Sequence, residues 1–482
     1  MGPAAVLAIG AESALGSGRN AYRVGAPGER PRIAIARDAV LEGAGLKKPF
    51  MARASLPGTD GDRAAHLLTA SARALVLELD VLLPDWKARK VGMSIGTSSG
   101  GMLPLTEAFG RRSRGEPLPR DLARASPYFG PLGALDAVLG TPLAARVQVL
   151  SACASSAVAL GVAARWLEHG VCDVVVAGGY DAVSVFVAAG FECIGATSAS
   201  PPNPFRVQRD GMALGEAAVL FALVRPVDAP RALFFLRGFG ATCDAVHVTA
   251  PDRTGDGLAR AARAALLDAG LPASAVDLVS AHATATPFND AAEAKALSAV
   301  IDTQPSDAVG RAFEPVVHPF KAVVGHTLGA SAALELAAAF DAMETGTLPA
   351  AAGAGDVMPE LTARLLSENA AGNPRTCLKL SAAFAGSNAA LVASYDPSTR
   401  VDGSARRAPR ATHGVALRAF GQPRTAADVA RLAGLTRLPL VQLSRLDALS
   451  AACIAAAYSV IDDVQGISPE RVGVIVGSAA SV

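Results

Sequence analysis

Several apolar runs in this chain show no alternation. Asp173–Ala177 reads DVVVA, and Val219–Val224 reads VLFALV. A half-exposed strand would place a polar residue at every second position. Unbroken runs of this kind are buried on both faces, as in parallel sheets covered by helices. Between them lie Ala-rich segments of helical length. Ala157–Glu168 is stopped by His169-Gly170, and Gly257–Ala269 by Gly270. Ala330–Ala342 is a strongly apolar third helix. Val147–Leu150, LFFLRGFG at 233–240 and Val276–Ser280 read as further strands, and Gly178-Gly179 is expected to break the strand that begins at Asp173. The fold class is therefore α/β, with stacked layers of sheet and helix.

Length and charge narrow the setting. At roughly 100–200 residues per domain, 482 residues admit two to four domains or one large duplicated fold. Against 44 Lys and Arg stand 43 Asp and Glu, and 51% of the residues are apolar. That balance, with no long basic run, excludes a disordered chain and one that coats nucleic acid. The six cysteines are scattered with no CxxC spacing, which argues against a zinc site and a disulfide scaffold. The start, MGPAAVLAIGAESALG, lacks the basic residues and cleavage site of a signal peptide. Apolar runs are broken well before the roughly 18 residues a membrane span needs. The expectation is a soluble protein of the reduced cytoplasm, with neither nucleic acid nor membrane as partner.

Residues 398–411 (STRVDGSARRAPRA) are polar and basic and read as a linker. Beyond them an early pattern returns. The helix-like DRAAHLLTASARALVLELDVL leads to RKVGMSIGTSSGG, and SRLDALSAACIAAAYSVIDDV leads to PERVGVIVGSAAS. Residues 412–482 are therefore expected to begin a second copy of the first module, cut short or surviving as a remnant.

Three stretches carry candidate chemistry. In VQVLSACASSAVALGVAARWLEHG a strand meets a helix through a turn that holds Cys153. A helix start favours the thiolate and offers N–H groups to a thioester oxyanion. A small buried hydrophobe is the alternative reading of Cys153; Cys172, Cys193, Cys243, Cys377 and Cys453 are read that way. In VSAHATATPFNDAAEAKAL a strand ends at His282. Thr284 and Thr286 follow to hold its ring, then a turn at residues 287–289 and a helix bearing Asp290 and Glu293. In HPFKAVVGHTLGASAALELAAAF, Lys321 and His326 flank a glycine turn, and Glu335 sits inside the apolar helix. A buried carboxylate needs a partner, and Lys321 is the natural one. A histidine at a helix start tends to stay neutral. A partly exposed loop histidine and a solvated ion pair remain the alternatives for these two stretches. His247 is expected to shape a loop. His66, His169, His318 and His413 are expected at the surface or as caps. The run RRSRGEPLPR at 111–120 reads as a solvated basic face, with docking of an acidic carrier protein as the other use of it.

Taken together, SACASSA, DVVVAGGYDAV, RDGMALGEAAVLF, DAVHVTAPD, HATATPFNDAAEAKAL, KAVVGHTLGASAALE and SAAFAGSNAAL resemble a β-ketoacyl-acyl-carrier-protein synthase, a condensing enzyme with a Cys-His-His site. The resemblance covers residues 1 to about 397. It implies a thiolase fold of duplicated βαβ-rich halves in α/β/α/β/α layers, 1–228 with the nucleophile and 229–397 with both histidines. It implies decarboxylative condensation of an acyl thioester with malonyl-acyl carrier protein, without metal or organic cofactor. Cys153 would carry the acyl chain, and His282 and His326 would bind the malonyl thioester. Lys321 and Glu335 would be the supporting ion pair. Phe384 would be the gate, its N–H joining that of Cys153 in an oxyanion hole. Partners implied are the acyl carrier protein and a second copy or ketosynthase-like subunit.

The chain departs from the family pattern. Ala283, Ala285, Ala383 and Ala385 stand where glycine is usual, and Arg206 stands where an acid is usual. Alanine at positive φ is strained by about 1–2 kcal/mol. Two other readings compete. A thiolase would bring a second cysteine near the end, and AFAGSNA has none. A non-catalytic chain-length-type subunit would lack Cys153.

Overall fold

The computed structural model describes residues 2–56, 61–229, 231–301 and 315–396. The expected linker, the second module, His413 and Cys453 lie outside them. Five strands build the first half: β1 (Ala4–Ser13), β2 (Val91–Gly96), β3 (Ala145–Val149), β4 (Val174–Asp181) and β5 (Ala217–Val224). Five build the second: β6 (Phe234–Cys243), β7 (Leu278–Ser280), β8 (Val316–His318), β9 (Thr376–Ala382) and β10 (Ser387–Ser394). In space the first half runs β3-β2-β4-β5-β1 and the second β8-β7-β9-β10-β6. Numbered within each half, both orders are 3-2-4-5-1. The strand directions repeat as well. β2 is parallel to β3 and β4, whereas β4 and β1 are antiparallel to β5. The same pattern holds for β7, β8, β9, β10 and β6. The halves are joined by a short antiparallel ladder between Ala4–Val6 and Phe234–Leu236.

The helices complete five layers. α1 (Arg63–Leu82) and α2 (Leu132–Leu139) cover the outer face of the first sheet, packing Leu67, Leu75 and Leu135 against Leu7, Val176 and Leu220. α3 (Ser155–Glu168) and α6 (Ser331–Thr345) lie between the sheets in a common core. α4 (Asp256–Ala269) and α5 (Pro287–Ile301) close the outer face of the second sheet. α6 is buried from Ser331 through Met343, which explains its lack of a polar face. The duplicated, layered fold implied by the resemblance is therefore present.

Two local expectations are corrected. The sheet is mixed rather than parallel: the unbroken apolar runs reflect helices on both faces, whatever the strand direction. The Gly178-Gly179 pair does not end its strand, because β4 continues to Asp181. These glycines answer to close packing instead. A Cβ on Gly179 would lie 2.7 Å from the Gly329 carbonyl oxygen and 2.8 Å from the Ser156 Cβ.

The duplication extends to the helix starts. β3 leads through a 3-10 turn, Ala152–Ala154, into α3 at Ser155. The strand β8 and a short helix, Lys321–Val324, lead through a 3-10 turn, Leu328–Ala330, into α6 at Ser331. The first residue of each turn is left-handed, Ala152 at φ 44° and Leu328 at φ 52°. Cys153 and Gly329 occupy the same place in the two halves. Close packing fixes these turns: a Cβ on Gly96 would stand 2.5 Å from the Ser156 nitrogen, against backbone that cannot yield. Gly96→Ala is therefore expected to destabilise the protein by about 1–3 kcal/mol, read as a lower urea midpoint, and to impair acylation of Cys153 in the same preparation.

Candidate active site

Cys153 sits in the turn between β3 and α3 and is 6% exposed. The Ser155 hydroxyl closes that turn. It donates to the Ala152 carbonyl at 2.7 Å and accepts from the Ser151 N–H at 2.8 Å. Ser151 Oγ meets Ser387 Oγ at 2.6 Å, tying the cysteine turn to the segment that carries Phe384. His282 follows the end of β7, and His326 precedes α6. Both rings are buried, 5.5 Å apart and nearly perpendicular. Cys153, His282, His326, Thr284, Thr286 and Phe384 all line one cavity of about 370 Å3. The structure thus brings together residues from four separate stretches of sequence. Phe384 packs its ring 5.6 Å from that of Phe191.

The hydrogen bonds fix the tautomer of His326. The Leu328 N–H donates to Nδ1 at 3.1 Å, and Ser331 Oγ lies 2.8 Å from the same nitrogen. Nδ1 is therefore an acceptor, and the proton resides on Nε2. Nε2 is buried with no protein partner among the described residues, as is Nδ1 of His282. Such groups are expensive to leave unpaired and are ready to meet a ligand. Burial holds both imidazoles well below the ordinary histidine value of 6.5, and the Lys321 and Lys379 ammonium groups add to the effect. Protonating Nδ1 of His326 would set one N–H against another.

Burial also pushes the Cys153 thiol up to about 12, with the Lys321 charge opposing it. Desolvation in the cavity outweighs the lowering expected from the helix start. The resting site thus holds a thiol and two neutral imidazoles.

Lys321 and Glu335 form the expected pair, at 2.6 Å and both nearly fully buried. A second lysine joins them. Lys379 Nζ lies 2.6 Å from the other oxygen of Glu335. Sequence reasoning missed it, although a lone cation inside the apolar strand CLKLSA was a visible signal. Asp181 was missed as well. Its buried carboxylate accepts from Thr97 Oγ1 at 2.8 Å, Ser98 N at 2.7 Å, Ser99 N at 2.9 Å, Ser99 Oγ at 2.5 Å and Gly329 N at 2.6 Å. It pins the turn after His326 to the loop after β2. On the other side, Glu293 accepts from the N–H groups of His282 and Ala283 at 2.6 and 2.7 Å. Asp290 accepts from Ala285 N and Phe205 N.

Other expectations need correction. Thr284 and Thr286 bond to each other at 3.0 Å rather than orienting His282, and the chain after them enters α5 directly at Pro287. Cys172 and Cys377 are core residues, but Cys193 and Cys243 are exposed, lying at the end of a helix and of β6. His318 is not at the surface. It is buried on β8, where burial lowers it to about 3. His247 does shape its loop, accepting from Thr249 N and Ala250 N. Arg206 is buried and donates to the Gly355 carbonyl at 3.1 Å. Among the described residues no cluster of three His, Cys, Asp or Glu side chains is placed to hold a metal ion, and no helix is long and apolar enough to cross a membrane.

Three of the four alanines in glycine positions are left-handed: Ala283 at φ 45°, Ala285 at 59° and Ala385 at 63°. Ala383 is extended at φ −132° and carries no such strain. Ala385→Gly is expected to relieve the backbone and stabilise the protein by about 1 kcal/mol after the entropic cost of glycine, measured by urea denaturation; no gain would show the turn to be unstrained. A second expectation concerns protonation. In protein labelled with carbon-13 at the histidine rings, the His282 and His326 signals should keep neutral shifts as the pH falls through 6.5.

Comparisons with known proteins bear on the fold and the family. Residues 62–229 match the family "Beta-ketoacyl synthase, N-terminal domain", and residues 233–354 match "Beta-ketoacyl synthase, C-terminal domain". A 3-oxoacyl-(acyl-carrier-protein) synthase 2 from Staphylococcus aureus is 31% identical over 291 residues, 57% of this chain and 67% of the relative. One from Synechocystis is 28% identical over 305 residues, 60% of this chain and 70% of the relative. The solved ishigamide ketosynthase/chain length factor superposes with a TM-score of 0.69 at 26% identity, covering 81% of this chain and 98% of that one. With both domain families matched in order over one continuous layered fold, this chain belongs to the β-ketoacyl synthase family of condensing enzymes.

Proposed function

We propose that this protein joins an acyl thioester to malonyl-acyl carrier protein by decarboxylative Claisen condensation, giving a 3-oxoacyl-acyl carrier protein in fatty-acid or polyketide biosynthesis. The observation that carries this reading is the shared cavity of Cys153, His282 and His326. In the first step the Cys153 sulfur attacks the acyl thioester carbonyl. The carrier thiol leaves and takes up the proton that the cysteine gives up. In the second step malonyl-carrier protein binds with its thioester carbonyl facing the histidines. Carbon dioxide departs, and the electron pair of the broken bond moves into an enolate. Neutral imidazole donors stabilise that charge without surrendering a proton, and the Nε2–H of His326 is already fixed for the task. The enolate carbon attacks the acyl-Cys153 carbonyl, the oxyanion resting on the N–H groups of Cys153 and Phe384. The cysteine sulfur then leaves as a thiolate and takes up a proton from solvent. Sulfur suits both roles, as nucleophile and as leaving group.

Lys321 and Glu335 support this site from beneath. Thr284 and Thr286 flank the entering malonyl carrier arm from the wall of the cavity. The acyl carrier protein is the partner, as the names of the curated relatives state for those enzymes. Residues 112–120 are exposed and offer a basic face to an acidic carrier, although Arg111 and Arg114 are partly matched by Glu107 and Glu116. Pairing with a second ketosynthase-like chain is supported by β3, an edge strand among the described residues, with Tyr128, Phe129 and Leu150 exposed around it. On this reading the enzyme works in the cytoplasm, with residues 1–228 and 229–397 as its two halves.

The test uses the purified protein, malonyl-carrier protein and acyl-carrier protein. Wild type should form the 3-oxoacyl product and show an acyl adduct on Cys153 by intact mass. Cys153→Ala should lose the adduct and at least about 1,000-fold of the condensation rate. Undiminished condensation in the variant would defeat the assignment of Cys153.

A further inference from the structure

Lys379 has no counterpart in the chemistry described above, yet it is the most enclosed cation among the described residues, with no exposed surface. It comes from β9, and its ammonium group reaches three different segments. It pairs with Glu335 Oε2 on α6 at 2.6 Å. It donates to the carbonyls of Ser280 and Ala281, at 3.3 and 3.5 Å, immediately before His282. It also donates to the Leu380 carbonyl on its own strand. Glu335 in turn holds Lys321, whose carbonyl accepts the Gly325 N–H directly before His326. One ammonium group therefore joins the backbone that presents His282 to the ion pair that anchors the backbone presenting His326.

The charges around it do not cancel at Glu335. That single carboxylate lies between two ammonium groups. The next acid is Glu293, which spends its oxygens on the N–H groups of His282 and Ala283 and makes no ion pair with Lys379 among the described contacts. His318 and the Cys377 thiol, also buried nearby, are neutral neighbours that feel the same charge. Resting on the function proposed above, we infer that Lys379 is a positioning residue, which locks the two histidine-bearing segments to one buried carboxylate and places a second positive charge beneath the malonyl site.

This role predicts more than a loss of stability. The positive charges of Lys321 and Lys379 both disfavour an imidazolium at His282 and His326. Removing one leaves a balanced Lys321–Glu335 pair, so the histidines should accept protons more readily. The sign is upward: the pH at which activity fails in acid should rise toward the ordinary histidine value of 6.5.

The experiment measures carbon dioxide release from malonyl-carrier protein between pH 4.5 and 8 for wild type and Lys379→Met, with the fold of each checked by circular dichroism. The acid limb of the variant is expected to move up by about one unit, roughly a tenfold relative loss at the low end. Carbon-13 titration of the ring-labelled histidines should show the same upward movement, and it needs no turnover. A folded variant whose limb and histidine signals match wild type overturns the inference. A wild type that releases no carbon dioxide defeats the proposed function instead, and the histidine titration still decides the role of Lys379. If Lys379→Met does not fold, Lys379→Gln is titrated in its place: histidine signals that move up relative to wild type support the inference, and signals that match wild type overturn it.

Discussion

A carboxylate in the middle of a helix that is buried on every side has to be neutralised, and most of the active-site architecture follows from how Glu335 achieves this. Isolated in the interior it would cost several kcal/mol. Two lysines meet it, one from the short helix Lys321–Val324 and one from β9. Each lysine is also bound into backbone next to a histidine. The ion cluster therefore acts as a joint between the three elements that meet beneath the cavity.

The halves of the molecule are alike in strand order, strand direction and helix starts, but they have divided the work. The turn before α3 presents a sulfur atom, whereas the turn before α6 presents Gly329 and is preceded by a histidine. Asp181 binds across this divide, holding the loop after β2 and the Gly329 N–H with one carboxylate. Left-handed residues gather at these turns and in the segments that carry His282 and Phe384. Ala152, Leu328, Ala283, Ala285 and Ala385 all stand at or beside residues that line the cavity. Such strain persists only where surrounding contacts overdetermine the backbone, and Glu293, Asp290 and Ser155 provide those contacts.

Much of this was legible in the residues. The strand–turn–helix around Cys153, the ends of β5 and α4, and the pairing of Lys321 with Glu335 follow from local pattern and from the cost of burying charge. Strand direction was not legible, because an apolar run covered on both faces reads the same in either orientation. Nor was the span of β4: a glycine pair signals a turn locally, but here it makes room for Gly329 and Ser156, which are distant in sequence. The closeness of Lys379 to Glu335 is likewise a product of sheet order. The elevated thiol was missed because a helix start is a local feature, whereas desolvation depends on every wall of the cavity.

Among the described residues β3 is an edge strand, and that bears on how such a chain is handled. Its outward N–H and C=O groups form a template for any passing strand, and the aromatic side chains beside it favour sticking over release. Left uncovered, such an edge invites clumping. The yield of well-behaved material is then set as much by what covers that edge as by the intrinsic stability of a single molecule.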